Sequence, residues 1–216
     1  MSRFLGPIHH WLHSKILLQE RIETSVEARL LESGIDLGSI KHWDEEYGPA
    51  NPDEQLEGAI DTQNIHGWLQ KRIQMAETRF AGKITELKAL HGDKVVEIAS
   101  SVYENYANTI AIQLNENEMW DGNLDSAHKL LHNQILEGMP CDQAGAITLN
   151  EQDMLQWKSD RCLHKAYWEQ VNGDVKDHHQ MRDAFNRAFF ETLGNLKYGR
   201  VVESGVTYYQ INRDRK

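Results

Sequence analysis

The sequence predicts an all-α protein: one domain over residues 1–216, a helical bundle of about six helices with a small C-terminal β-hairpin at about 197–211. Three observations predict it. Apolar residues recur three and four positions apart in several long segments, the spacing of one helix face. Capping residues, prolines and glycines fall where those segments begin and end. The C-terminal stretch, by contrast, reads as two short strands around a turn.

Pro7 starts the first helix, because its fixed φ and missing N–H suit the first helical position after Gly6. Ile8, Leu12, Ile16, Ile22, Val26 and Leu30 form its apolar side, and Ser33-Gly34 stops it. Residues 35–50 have little periodicity and are expected as a loop, packed on the body through Trp43 and Tyr47. Asn51-Pro52-Asp53-Glu54 combines a capping side chain, a proline and first-turn acids, which marks a second helix start. That pattern continues, with a break near Asp61-Thr62, to His91-Gly92.

Asp93 is placed to cap a third helix, along which Val95, Ile98, Val102, Tyr106, Ile110 and Leu114 recur. Asp125 or Ser126 caps a short fourth helix that closes at Gly138. An irregular segment follows from Met139. A fifth helix is expected over 151–171, ending at Asn172-Gly173. The last begins near Asp174 or Asp177 and runs to about Leu193, with Met181, Phe185, Ala188 and Phe189 on one side. Residues 200–202 and 206–211, around Glu203-Ser204-Gly205, make the hairpin.

Charge and composition narrow the function classes. The 33 acidic residues exceed the 23 basic ones, giving a formal net charge of -10, which disfavours a nucleic-acid partner. The densest basic group, Arg213, Arg215 and Lys216, reads as a solvated tail. No apolar run approaches the roughly 18–20 residues that span a bilayer, so no membrane partner is expected. The histidine- and proline-bearing N-terminus makes a poor signal peptide. Two cysteines, Cys141 and Cys162, fit a reducing compartment, and the expected location is cytoplasmic. A homo-oligomer and an unspecified small-molecule ligand are both compatible with this composition.

Histidine placement carries the chemistry. Ile8-His9-His10-Trp11-Leu12, with Ile16 and Glu20, matches Ile65-His66-Gly67-Trp68-Leu69, with Ile73 and Glu77, at six identities over thirteen positions. His128, Leu131, His132 and Ile135 form a fainter third copy. On a helix, histidines four apart have Cβ atoms about 5–6 Å apart, so both imidazoles reach one ion. Facing helices of a bundle are where such ligands converge. The expected metal ligands are therefore His9, His13, His66, His128 and His132. The alternative for each is a half-buried core histidine with one satisfied nitrogen. Glu20 lies about 16 Å along the axis from His9 and about 10 Å from His13, too far to join that pair. Glu77 stands in the same relation to His66.

The spacing also excludes chemistry. His10 and Lys129 stand where a zinc protease of the His-Glu-x-x-His type needs its general-base Glu. The architecture is similar to haemerythrin-like and ferritin-like bundles, but the Glu-x-x-His pairs of di-iron carboxylate sites are missing. An imidazole-rich site suits Zn, Fe, Ni or Cu, or a haem held by two facing histidines.

A second cluster is Cys141, Cys162 and His164. If Cys162 and His164 lie on one helix they diverge by about 200° and cannot share an ion. Cys141, in irregular structure, is the candidate reactive thiol. His178 shares a face with Met181 and Phe185, which favours packing over ligation. The leading expectation is a helical-bundle protein binding a metal or haem for redox, sensing or catalysis. The alternatives are a metal-free interaction or small-ligand-binding module with structural histidines, and a thiol enzyme using Cys141.

Overall fold

A computed structural model describes residues 5–139, 142 and 145–213. Among them the chain is mostly helical, with eight α-helices and a four-stranded antiparallel sheet, so it is mixed α and β rather than purely all-α. The helices are α1 (Pro7–Glu32), α2 (Lys41–Tyr47), α3 (Leu56–Ala59), α4 (Ile65–His91), α5 (Lys94–Glu116), α6 (Leu124–Gln134), α7 (Lys165–Gln170) and α8 (Val175–Gly194). The strands are β1 (Gly145–Asn150), β2 (Met154–Ser159), β3 (Leu196–Glu203) and β4 (Val206–Arg213), in the order β1-β2-β4-β3. No described helix is long and apolar enough to cross a membrane.

Local chemistry accounts for the helix ends. Pro7 opens α1 behind an extended Gly6, whose N–H is accepted by Nδ1 of His9 at 3.0 Å. Asn64, rather than Asn51, starts α4, and its side chain accepts the N–H of Gly67. The Asn51-Pro52-Asp53 segment forms a turn ahead of the one-turn α3. Asp174 caps α8 by accepting from the Lys176 N–H at 2.9 Å, and Asn195 closes it in the left-handed conformation.

Two expected irregular stretches are ordered. Residues 35–50 contain a short 3₁₀ turn and α2, whose Trp43 lies against Gly82 of α4; a Cβ at Gly82 would stand 2.5 Å from that indole. The indole N–H of Trp43 reaches Glu86 at 3.1 Å, so this segment does pack on the body.

The larger correction concerns 145–171. β1 occupies part of the expected irregular segment, and the expected helix over 151–171 is β2, a bend, and α7. Along β2 the buried residues alternate, Leu155 and Trp157, a period of two. Leu155 pairs with Ile211 and Trp157 with Tyr209, so β4, far along the chain, completes the ladder. The C-terminal hairpin is longer than expected, and Ser204 and Gly205 form its tight turn with positive φ.

The main core joins Ile22, Val26 and Leu30 of α1, Phe80 and Ile84 of α4, the small face of α5, Phe185, Phe189 and Phe190 of α8, and the inner face of the sheet. A smaller cluster joins Leu12 and Ile16 to Leu69 and Ile73. The repeated sequence is thus paired in space. His9 meets His66, Glu23 meets Arg79 and Glu27 meets Lys83, at separations of 57, 56 and 56 positions, so α1 and α4 run parallel with the two copies side by side.

Between them lies a buried ionic network. Arg79, fully buried, donates to Glu23 at 2.8 Å from both Nε and Nη2 and to Glu20 at 3.3 Å, while Arg72 donates to Glu20 at 3.0 Å. Lys83 lies 3.0 Å from Glu23 and reaches Glu27 and Asp44.

Candidate functional site

The expected histidines come together in pairs rather than at one point. Nε2 of His9 lies 3.4 Å from Nε2 of His66, and because its Nδ1 accepts the Gly6 N–H, neutral His9 carries its proton on Nε2, facing His66. His13 lies 3.4 Å from Glu54. His128 and His132 face each other on α6 with ring centroids 4.3 Å apart, and His128 meets the edge of Trp157. Among the described residues, the group of three whose ligand atoms all lie within 4.8 Å is a different one: Glu77, His164 and His178, each buried. This group could hold a metal ion.

Three separate segments build it. Glu77 projects from α4 among Ile73, Phe80, Ala81 and Ile84, an acid on an apolar face. His164 precedes α7, and its carbonyl accepts from Tyr167 at 3.0 Å. His178 lies in the first turn of α8, which Asp174 starts. Nδ1 of His164 stands 3.0 Å from Oε2 of Glu77, and the His164 and His178 rings stack at 3.9 Å. Glu137 approaches the other nitrogen of His164, Nε2, at 3.8 Å, and Arg182 approaches Glu137 at 3.7 Å. Oε1 of Glu77 and Nε2 of His164 are buried without a hydrogen-bond partner.

The electrostatics separate the two imidazoles. Burial disfavours a charge on His164, but the carboxylates of Glu77 and Glu137 outweigh it and raise its pKa to about 10. Burial, followed by the charges of His164 and Arg182, pushes His178 well below the usual histidine range. Burial also works against the charge of Glu137, yet His164 and Arg182 hold it down at about 2. Without a metal, then, neutral pH finds an imidazolium between two carboxylates with a neutral imidazole stacked on it.

Sequence reasoning missed each member for an identifiable reason. A helix over 162–164 would keep His164 from sharing an ion with Cys162, but His164 lies in the bend before α7, where helical angles do not apply. His178 does share the buried face with Met181 and Phe185, which hid its second neighbour. Glu77 does not meet the ion site expected at His66; its partner comes from elsewhere in the chain. The available signal was the acid itself, since a carboxylate among four apolar neighbours on one helix face needs a partner. Cys162 is a half-buried free thiol, and Cys141 lies outside the described residues.

No protein-family model, curated protein or solved structure matches this chain.

Proposed function

We propose that this protein binds one divalent transition-metal ion through Glu77, His164 and His178. The observation that carries the reading is the convergence of a carboxylate and two imidazoles from three segments, with Oε1 of Glu77 buried and lacking a partner. Two imidazoles and one carboxylate form a ligand set typical of zinc and non-haem iron centres, with positions left for water or substrate. Ligands about 2.1 Å from an octahedral ion stand about 3 Å apart, and the Glu77–His164 contact is 3.0 Å. Glu137 faces the far nitrogen of His164, as the outer-shell carboxylate of a metal-bound histidine does. The stacked rings speak for a bare ion rather than haem, because axial ligands approach a porphyrin from opposite faces. The ion would act as a Lewis acid or redox centre, while the chain orients it and keeps bulk water out.

The short Nδ1–Oε2 contact also favours a second reading, a metal-free ion pair that pins α7 and α8 to α4. One experiment separates them. Untagged protein is stripped with a chelator, titrated with Co2+ and Zn2+, and followed by visible absorption and element analysis. The metal reading expects one ion per chain, lost in His178→Gln and Glu77→Gln. Binding well below one equivalent, or binding unchanged in both variants, leaves the ion pair as the answer.

A further inference from the structure

A cavity of about 330 Å3 lies beside this centre, bounded by α1, α6, α8 and the sheet, within the size range of small-molecule sites. Its lining holds an excess of cations in a chain whose net charge is -10. Lys15 is buried, 5% exposed, with Nζ 3.4 Å from the Trp11 ring centroid. Among the described residues no carboxylate lies within 4.0 Å of that nitrogen. Arg182 is 7% exposed; it donates to the Leu136 carbonyl at 3.1 Å and approaches Glu137, but its Nε is buried without a partner. Nε2 of His132, also on the lining, is likewise buried and unpartnered. Lys158, by contrast, turns to Asp160 at 2.8 Å.

Against these donors stands, among the described residues, one acid of the lining, Glu137, already held by His164 and Arg182. Burial pushes the Lys15 ammonium down to about 7 despite the pull of Glu137, and a negative group between Lys15 and the unpartnered Nε–H of Arg182 would favour its charged form and supply the missing acceptor. The walls say what accompanies it. Trp157 and Tyr209 stack at 5.4 Å and 15°, and both line the cavity with Trp11. The faces that Trp157 and Tyr209 turn to each other are taken, so a flat ring would lie against the indole surface that Trp157 and Trp11 leave to the cavity.

We infer that this cavity binds a small planar molecule carrying a carboxylate or phosphate group, with its anion at Lys15 and Arg182 and its ring along Trp157. The two imidazoles of α6, His128 and His132, serve here as neutral hydrogen-bonding groups of the wall. The site stands whether or not a metal occupies the neighbouring centre.

The test uses the chelator-treated 216-residue protein at pH 6.5 and three probes: 4-hydroxybenzoate, phenyl phosphate and neutral benzamide. Calorimetry is expected to give at least one anion a Kd below about 1 mM. Benzamide is expected to bind about tenfold or more weakly, as is that anion to Lys15→Met, for loss of a charge-assisted hydrogen bond. The better anion tells carboxylate from phosphate. Because Lys15→Met also alters a buried contact, indole N–H NMR signals of the unmodified protein are followed in parallel, with Trp11 or Trp157 expected to shift. No binding of either anion at about 10 mM, equal binding of benzamide, unchanged binding by a folded Lys15→Met, or shifts confined to other tryptophans would overturn the inference.

Discussion

Glu77 and His164 meet at 3.0 Å across 87 positions of chain, and no part of that contact is local. The imidazolium donates from Nδ1 while Glu137 faces the opposite nitrogen, so one ring carries charge between two carboxylates.

Metal binding must displace the His164 proton, which the folded chain keeps up to about pH 10. His178 has no proton to lose near neutrality. Affinity for Zn2+ is therefore expected to rise about tenfold per pH unit between roughly 6.5 and 8, with one proton released per ion. Calorimetry in buffers of different ionisation enthalpy counts that proton. A pH-independent affinity would contradict the assignment of His164 as a ligand.

The same titration separates the two sets of histidines. His9→Asn and His128→Asn are expected to leave the metal stoichiometry intact, whereas His178→Gln removes it. Loss of the ion in the first two variants would return the site to the histidines of α1 and α6.

Acid destabilises the metal-free fold through its neutral histidines. Burial, with His132 adding to it, lowers His128 to about 3; burial also lowers His132 and His178. Below about pH 6.5 the unfolded chain takes up protons that these rings refuse, so stability falls as pH falls. The His164 contribution has the opposite sign, fully present below about 6.5 and lost as pH rises toward 10. Glu137 contributes above about 4.5 and loses that only toward 2. Between pH 6.5 and 4.5 the neutral rings therefore dominate this set. Melting temperatures of chelated protein at pH 6.5, 5.5 and 4.5 should fall in that order, less steeply in His128→Gln. A flat or rising series would refute the account.

Arg79→Met leaves Glu23 and Glu20 buried beside fewer cations. Breaking a buried pair from one side costs about 3–5 kcal/mol. Urea unfolding is expected to show a loss of that order, and Glu23→Gln added to Arg79→Met should cost less than the sum of the single changes.

Gly82→Ala drives a methyl group into the Trp43 indole, and a loss of about 1–3 kcal/mol is expected. In a Trp43→Leu background the same change should be nearly neutral. Equal losses in both backgrounds would mean that the α4 backbone, and not the indole, objects to the methyl group.

What the sequence made legible tracks the range of the forces involved. The bounds of α1, the Gly92 stop, the Asp174 cap and the terminal turn are set by neighbours within a few residues, and they appear where expected. The Asn51 start failed although its local signal was strong, because Asn51 gives its N–H to Glu20 of α1 and the chain turns there. Met154 and Trp157 sit three apart as on a helix, but the β4 ladder, formed far along the chain, holds them in a strand. The repeat proved informative in a way its histidines did not: its copies lie side by side, and its two acids face different partners, arginines for Glu20 and an imidazole for Glu77.

The distance between Glu77 and His164 along the chain has a consequence for biosynthesis. At about 5–20 residues per second, a ribosome delivers His164 roughly 4–17 s after Glu77. For that interval the acid has no imidazole to receive it, so the surface of α4 that carries it must stay wet. The nascent helices can gather early, but the seam at Glu77 closes only when the chain has emerged as far as His164.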